Sequence, residues 1–296
     1  MRTHNFFNHL GFVFLVTPNS EWRKTHLKYI CGVVINARDE EKYIKVSLLS
    51  LINQTVAPFI VVVNDGSIDR TREIASDYAN IVIDLPRHEE SWAGKPELAR
   101  VINAGLSVLR NMDLDFVMIS GGEAIYPPNY IEEITKRMRK DNVTIASGVA
   151  EGEPSRSFSP RGCGRLVDAE WFKTIGFKYP ENYGFEAYLI YKALSRGRKV
   201  TIYPDLRFKL QRKTRLYRSK IYLWGKGMRA LNYNFLYVLG RALIFALESP
   251  SNGFALLRGY FSRVEKYRDI EGFVSAFQRK QFLSRIREVL KGGVIL

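Results

Sequence analysis

The stretch that most constrains the fold is residues 61–71, where an apolar run ends abruptly in Asn64-Asp65-Gly66-Ser67. Short Val- and Ile-rich runs followed by turn residues are typical of buried strands in parallel sheets. Open α/β sheets bind their ligands beside the carboxyl ends of such strands. Asp65 is therefore placed to accept hydrogen bonds from the ribose or base of a nucleotide. The alternative is a strand–turn–helix junction with a capping acid and no ligand.

The same pattern occurs one unit earlier in the chain. Residues 29–35 are apolar and β-branched, the acids Asp39, Glu40 and Glu41 follow, and residues 43–53 have helical spacing. Acids near a helix N-terminus are favoured by the helix dipole. Two successive strands therefore end in acids, and a helix begins after each. This repetition indicates a nucleotide-binding crevice more strongly than two coincidental helix caps.

These two units resemble the opening of family 2 glycosyltransferases. The resemblance rests on NARDEEKYIKVSLLSLINQT followed by VVVNDGSIDRT, and it extends from about Tyr29 to about Thr214. It implies an α/β GT-A (Rossmann-like) fold, with a mixed, mostly parallel sheet flanked by helices. It also implies a nucleotide-sugar donor with either uridine or guanosine as its base.

The resemblance carries several binding roles over to this chain. Residues matching the donor-binding positions of the family are Ala37, Asp39, Glu40, Asp65, Gly66, Lys95 and Arg100. Those that fall near the expected diphosphate are Arg161 and Arg212, the latter with neighbouring bases in 207–215 as alternatives. A cation at a helix N-terminus suits an anion. Spacing alone favours an ordinary surface lysine and a helix-face arginine, and the resemblance reverses this for Lys95 and only partly for Arg100.

The metal-binding position departs from the family pattern. Where family members carry an Asp-x-Asp pair, this chain reads Gly121-Gly122-Glu123. Mg²⁺ and Mn²⁺ are held by carboxylates together with phosphates and waters. Glu123 with the donor phosphates is therefore the expected metal site, and the alternative is that arginine and lysine side chains replace the ion.

The catalytic base is the second departure. Family members often carry Glu-Asp where this chain has Glu186-Ala187. An inverting transfer needs a base within hydrogen-bond reach of the acceptor hydroxyl, and the resemblance assigns that role to Glu186. The competing interpretation is an acid that merely stabilises a helix N-terminus.

Length and composition suit a globular α/β protein with an appendage. The chain has 296 residues, of which 46% are hydrophobic and 25% charged. We expect an N-terminal extension at 1–28, a GT-A domain at 29–215 and a helical, basic region at 216–296. Two cysteines cannot form a disulfide framework or a four-cysteine zinc site.

The formal net charge of +15 is concentrated in part of the chain. Between Arg207 and Arg229 there are nine basic residues and no acid, interleaved with aromatic residues. Nucleic acid, an anionic lipid surface and a solvated basic face are all compatible with this charge. The apolar segment at 221–247 favours the lipid surface. It is too interrupted to span a bilayer. The segment is therefore interpreted either as an amphipathic interfacial helix or as a helix packed on the domain.

The apolar residues 6–16 allow two interpretations, a surface anchor or an extension packed on the sheet.

Three functions are compatible with the whole chain. The first is a glycosyltransferase peripheral to the cytoplasmic face of the cell membrane, acting on a lipid-linked or cell-surface glycan. The second is a catalytically silent binding protein of the same fold. The third, disfavoured, is a nucleic-acid-binding protein.

Overall fold

The structure is a computed structural model that describes residues 4–7, 13–16, 29–153, 159–212 and 217–290, with side chains within 30–153, 159–212 and 217–281. It divides into two compact units. The first contains Met1–Ser91, Ala99–Tyr179 and Gly197–Lys213, and the second contains Trp92–Leu98, Pro180–Arg196 and Thr214–Leu296. The predicted division at residues 28 and 215 stays a prediction.

The first unit is built on a mixed sheet. Its strands within the described residues are β1 (His4–Phe7), β2 (Val13–Val16), β3 (Tyr29–Ala37), β4 (Phe59–Asp65), β5 (Ile81–Leu85), β6 (Leu114–Gly121), β7 (Ala124–Ile125), β8 (Val143–Ala150), β9 (Arg165–Asp168) and β10 (Lys199–Leu210). They lie in the order β1-β2-β5-β4-β3-β6-β9-β8-β10-β7. The central strands β5, β4, β3 and β6 are parallel, and β9 is antiparallel to both of its neighbours.

Helices alternate with the strands, and those after β3 and β4 agree with the sequence prediction. They are α1 (Ile44–Ile52), α2 (Thr71–Tyr78), α3 (Pro96–Leu109), α4 (Tyr130–Asp141) and α5 (Ala169–Thr174). Helix α1 buries Ile44, Ser47, Leu48 and Leu51, the spacing of one helical face. That face joins strand residues such as Val33 and Val62 in a large core cluster. The α/β architecture with parallel central strands agrees with the predicted fold class.

The N-terminal residues are described only as backbone. Strands β1 and β2 pair antiparallel, and β2 joins β5 through Val16 and Ile83. This pairing agrees with an extension packed on the sheet. The rest of the predicted extension at 1–28 lies outside the described residues.

The second unit is helical. It contains α6 (Phe185–Ser195), α7 (Arg218–Ala230), α8 (Phe235–Glu248), α9 (Pro250–Tyr260), a 3-10 helix (Arg268–Ile270) and α10 (Phe273–Leu290). Helices α7 and α9 pack closely because Gly225 and Gly259 lack side chains at the contact; a Cβ at Gly225 would lie 2.8 Å from the Tyr260 nitrogen. Among the described residues, no helix combines the length and apolarity that crossing a bilayer requires.

One segment of this unit differs from its prediction. The helical pattern over 221–247 is divided between α7 and α8, with a break at 231–234. Asn232 adopts a φ of 56°, which ends the first helix, and Asn234 Oδ1 accepts a hydrogen bond from the Leu236 nitrogen at 2.9 Å. Asparagine tolerates the left-handed region and caps helices well, so two asparagines suffice for the break.

Candidate active site

The register of the central strands aligns the residues singled out in the sequence. Ala37 pairs with Asn64, Asn36 pairs with Gly121, and Asp65 pairs with Leu85. The carboxyl ends of β3, β4, β5 and β6 therefore meet along one edge of the sheet. This is the edge at which open α/β sheets bind ligands.

Asp65 lies at this edge with its side chain almost fully buried. One oxygen, Oδ2, lies 3.0 Å from His88 Nε2, and the Arg38 guanidinium contacts the same imidazole ring. No described residue donates to the other oxygen, Oδ1, which is also buried. A buried carboxylate oxygen without a donor is costly, so Oδ1 is well suited to accept a hydrogen bond from a ligand.

Gly66 and Asp39 shape the two loops that follow β4 and β3. Gly66 has a φ of 65°, and a Cβ there would collide with the backbone of Arg87. Asp39 Oδ1 accepts from the Ile68 nitrogen at 2.9 Å, and the Asp39 nitrogen donates to Ser67 Oγ at 3.0 Å. Arg87 donates to the Asp39 carboxylate and to the Gly66 carbonyl. Asp39 and Gly66, both predicted to bind the donor, are therefore held in place by hydrogen bonds between their loops and by Arg87.

A second acidic cluster lies beyond the end of β3. The guanidinium of Arg212 contacts Glu40 Oε1 and lies 3.9 Å from Glu123 Oε2. The pKa of Glu40 is raised to about 7, because burial and, less strongly, the nearby charge of Glu123 together outweigh the opposing effect of Arg212. The second Glu40 oxygen, Oε2, is buried and receives no hydrogen bond from the described residues.

The two glycines at the departure from the family pattern leave room for these carboxylates. A Cβ at Gly121 would lie 2.5 Å from Glu123 Oε2, and a Cβ at Gly122 would lie 3.2 Å from Glu40 Cγ. The Glu123 carboxylate thus occupies the space beside position 121, into which a side chain at that position would project. Because positions 121 and 122 are glycines, the side chains of Glu123 and Glu40 fit beside them. Larger residues at these two positions would displace both glutamate side chains.

Arg212 is held at the end of β10 by its neighbour. The Gln211 nitrogen donates to the Glu123 carbonyl at 3.0 Å, and its side-chain amide donates to the Tyr43 carbonyl at 2.9 Å. The Arg212 guanidinium lies 5.7 Å from the centre of the Tyr43 ring. Half of its side chain is exposed, so it can reach a ligand. The alternative base Arg215 lies outside the described residues.

The other two predicted phosphate contacts in the first unit are Arg161 and Arg100. The Arg161 nitrogen donates to Ser147 Oγ at 3.2 Å, while its guanidinium pairs with Glu153. Arg100 is half-buried on α3. Residues 154–158 of the Arg161 loop lie outside the described residues. The roles of both arginines stay predictions.

Lys95 and Glu186 belong to the second unit. Lys95 is half-buried immediately before α3, and its nitrogen donates to the Trp92 carbonyl at 2.9 Å. Glu186 is exposed in the first turn of α6, behind Gly184, whose φ is 74°. Their predicted roles with the diphosphate and as base also stay predictions.

His88 and Arg38 are candidate site residues that the sequence analysis did not select. His88 contacts the Asp65 carboxylate, and Arg38 contacts the His88 ring and donates to the Glu90 carbonyl at 3.1 Å. His88 lies in an irregular loop three positions after β5, where no periodicity or motif marks it. The only sequence signal that points to His88 is a single imidazole side chain shortly after β5.

Comparisons with known proteins agree with this architecture. The sequence model described as Glycosyl transferase family 2 matches residues 32–194. A 4,4'-diaponeurosporenoate glycosyltransferase of Staphylococcus aureus (strain USA300) is 41% identical over 64 residues, which are 21% of this chain and 17% of that protein. The chain therefore matches only about a sixth of the length of that curated relative.

Solved structures share the fold at low sequence identity. The mannosyltransferase PcManGT of Pyrobaculum calidifontis, in complex with GDP-Man and Mn²⁺, has a TM-score of 0.54 at 15% identity, over 78% of this chain and 69% of that one. S. aureus TarS 1-349 in complex with UDP-GlcNAc has a TM-score of 0.50 at 16% identity, over 67% and 66%. The predicted GT-A fold is thereby confirmed. Because the family model covers more than half of its length, the chain belongs to glycosyl transferase family 2.

Proposed function

We propose that this protein transfers a sugar from a nucleotide-sugar donor to an acceptor hydroxyl, with inversion at the anomeric carbon. The observation that carries the proposal is the convergence of two acidic clusters on one sheet edge. Asp65 has a carboxylate oxygen there that receives no hydrogen bond from the described residues, and Glu40, Glu123 and Arg212 form a charged group beside the neighbouring strand ends. Family membership supports the same reaction class.

Asp65 would recognise the nucleoside. Its Oδ1 receives no hydrogen bond from the described residues and suits an N–H of the base or a ribose hydroxyl. Ala37 and Asp39 would line the same nucleoside site. UDP and GDP are both candidate nucleotides, as related folds bind UDP-GlcNAc in one protein and GDP-Man in another.

Cations would stabilise the leaving diphosphate. Arg212 is exposed enough to contact it while still paired with Glu40, and Lys95, Arg100 and Arg161 are further candidates by their family positions. Stabilising the charge that develops on a leaving group is usually the largest contribution to such catalysis.

The residues present fit a divalent cation. Within the described part of the chain no three His, Cys, Asp or Glu side chains form a metal-binding group. However, Glu123 occupies the space beside Gly121, and one or two carboxylates plus donor phosphates are a common Mg²⁺ ligand set. Glu123 would hold the cation, which when bound would neutralise charge on the diphosphate.

The proposed chemical step is a single displacement. The acceptor oxygen bonds to the anomeric carbon as the bond from that carbon to the diphosphate oxygen breaks, and the bonding pair leaves with the nucleotide. Glu186 would accept the acceptor's hydroxyl proton, by its position in the family pattern. We further propose a lipid-linked or cell-surface glycan acceptor and a peripheral location at the cytoplasmic membrane face, supported by the basic, aromatic helices of the second unit.

The first experiment is a thermal-shift screen of the full chain against UDP- and GDP-sugars, with and without Mn²⁺, followed by a nucleotide-release assay. We expect stabilisation by one nucleotide class and release that depends on acceptor. Stabilisation without release would identify a silent binding protein instead. Tight, salt-sensitive binding to RNA or DNA without any donor response would identify a nucleic-acid-binding protein.

Two variants test the assigned roles. Glu186→Gln should lower turnover at least about a hundredfold with donor affinity retained, whereas Glu181→Gln, an exposed acid just before α6, serves as the control. Full turnover in Glu186→Gln would reject the base assignment. Glu123→Gln should weaken Mn²⁺ binding in the presence of UDP or GDP, with Glu170→Gln on α5 as its control. Turnover that a chelator leaves unchanged would reject the metal site.

A further inference from the structure

Helices α8 and α9 carry an exposed apolar surface that the core of their unit does not use. On α8 the residues Leu236, Leu243, Ile244 and Leu247 recur at helical spacing, and each is between 62% and 87% exposed. Their opposite face, with Val238, Ala242 and Phe245, is buried in the cluster that also contains Leu256 of α9. The exposed residues therefore form a second apolar stripe on a helix whose packing requires only one.

Helix α9 continues this surface. It packs antiparallel to α8, since Gly253 lies against Ala242 and the rings of Phe235 and Phe261 have centroids 5.8 Å apart. Its exposed residues recur at helical spacing as Phe254, Arg258 and Phe261. Solvent-exposed apolar residues in such number mark an interaction site on a soluble domain.

The charge around this surface identifies the kind of partner. Residues 217–263 contain seven arginines and lysines and one acid, Glu248. Arg258 lies between Phe254 and Phe261, the residue that follows α9, and its guanidinium is 5.7 Å from the Tyr222 ring. Trp224 and Tyr237 are also exposed here. Apolar residues, interfacial aromatics and a large excess of cations over acids are the composition of helices that lie in the headgroup region of anionic membranes.

We propose that the α8–α9 surface binds an anionic lipid bilayer, with the apolar stripe inserted at the headgroup boundary and Arg258 beside the phosphates. This inference deepens the peripheral location proposed above by naming the surface and the lipid charge it needs. A second copy of the chain fits the charge less well, because pairing this surface with itself would bring like charges together.

Vesicle flotation with the full chain tests the proposal. Wild-type protein should bind phosphatidylcholine vesicles containing phosphatidylglycerol, bind pure phosphatidylcholine weakly, and be released by high salt. The variant Leu243→Ser/Ile244→Ser/Leu247→Ser should lose about tenfold or more in binding. Ile68→Ser, at a residue 77% exposed in the first unit, is the matched control and should bind like wild type.

Charge is tested separately. Arg258→Glu should weaken binding to the anionic vesicles by about fivefold or more, whereas Lys136→Glu, an exposed cation on α4, should change it little. Equal binding to both vesicle compositions, or full binding by the triple-serine variant, would overturn the proposal. So would a wild-type dimer in light scattering that the triple-serine variant converts to monomers.

Donor binding is measured on the same samples to separate this inference from the enzyme proposal. Vesicle binding without any nucleotide-sugar response would leave the membrane surface standing and remove the transferase. A donor response without vesicle binding would do the reverse. The serine variant should keep the wild-type donor response, because none of its three residues is among those assigned to donor binding.

Discussion

Arg212 contacts Glu40 across 172 positions of sequence, and the carboxylate it contacts is only 5% exposed. The interaction joins the end of β10 to the start of the first βα loop. It places an exposed guanidinium over a buried acid at the edge where the parallel strands end. Four predictions follow from this site and from the contacts that support the two units.

Replacing Arg212 by Gln should lower turnover by about a hundredfold or more, because the leaving diphosphate would lose a preorganised cation. Steady-state kinetics with the donor identified by the screen would measure it. Lys209→Gln, another cation on β10 whose side chain is exposed, is the control. Turnover within about twofold of wild type would show that Arg212 only neutralises Glu40.

Asp65→Asn should weaken the binding of UDP or GDP by about ten- to a hundredfold. The expected loss is that of a charge-assisted hydrogen bond to Oδ1, the oxygen that receives none from the described residues. Isothermal titration calorimetry would measure the dissociation constant. Asp77→Asn, at an exposed position on α2, should leave it unchanged, and equal affinity in both variants would remove Asp65 from the nucleotide site.

Asp269 should make the stability of the second unit depend on acid pH. The Asp269 carboxylate is partly buried, but hydrogen bonds from Lys192 and Tyr188 outweigh that burial and hold its pKa below the usual 3.8. A depressed folded pKa means that the stabilisation is present above 3.8 and is lost as pH falls through the folded value. Asp269→Asn should therefore destabilise the protein at neutral pH, by about 1–2 kcal/mol for a partly exposed pair.

Chemical denaturation of wild type and Asp269→Asn at pH 7 and pH 3 tests this dependence. The difference in unfolding free energy between the two proteins should be smaller at pH 3, because the carboxyl group of the unfolded chain is then largely protonated and part of the stabilisation is lost. A difference that is constant with pH would mean that the variant acts through packing and not through charge.

Asn103→Ala should destabilise the first unit by about 2 kcal/mol, since it removes two hydrogen bonds. Asn103 Nδ2 donates to the Tyr179 carbonyl, and Asn103 Oδ1 accepts from the Tyr179 nitrogen, both at 2.8 Å. Urea denaturation would measure the change, with Asn111→Ala, at an exposed position after α3, as the control. A change below about 0.5 kcal/mol would mean that water replaces the amide without loss.

The sequence predicts the strand ends of the site because its signal there is local. Periodicity identifies β3 and β4 to within a few residues, and turn residues mark where Asp65 and Glu40 leave them. The pairing of Arg212 with Glu40 has no such signal, since no pattern links residues so far apart. His88 was missed for a related reason, because irregular loops place side chains by tertiary contacts.

The end of the apolar segment at 231–234 shows a different limit. Hydrophobic spacing continues through it, so periodicity predicts one helix, whereas the asparagines divide it into α7 and α8. Backbone preferences of single residues outweighed the pattern at that point. The exposed apolar stripe of α8 could not be predicted either, since spacing alone does not tell which of two apolar faces is buried.

The path of the chain between the two units has a consequence for biosynthesis. Strand β10, which pairs with both β8 and β7, is made only after α6 of the other unit. A nascent chain on the ribosome consequently holds an unfinished sheet until about residue 210 has emerged. A fragment ending at Tyr179 would lack that strand, and β7 and β8 would lose their pairing with it.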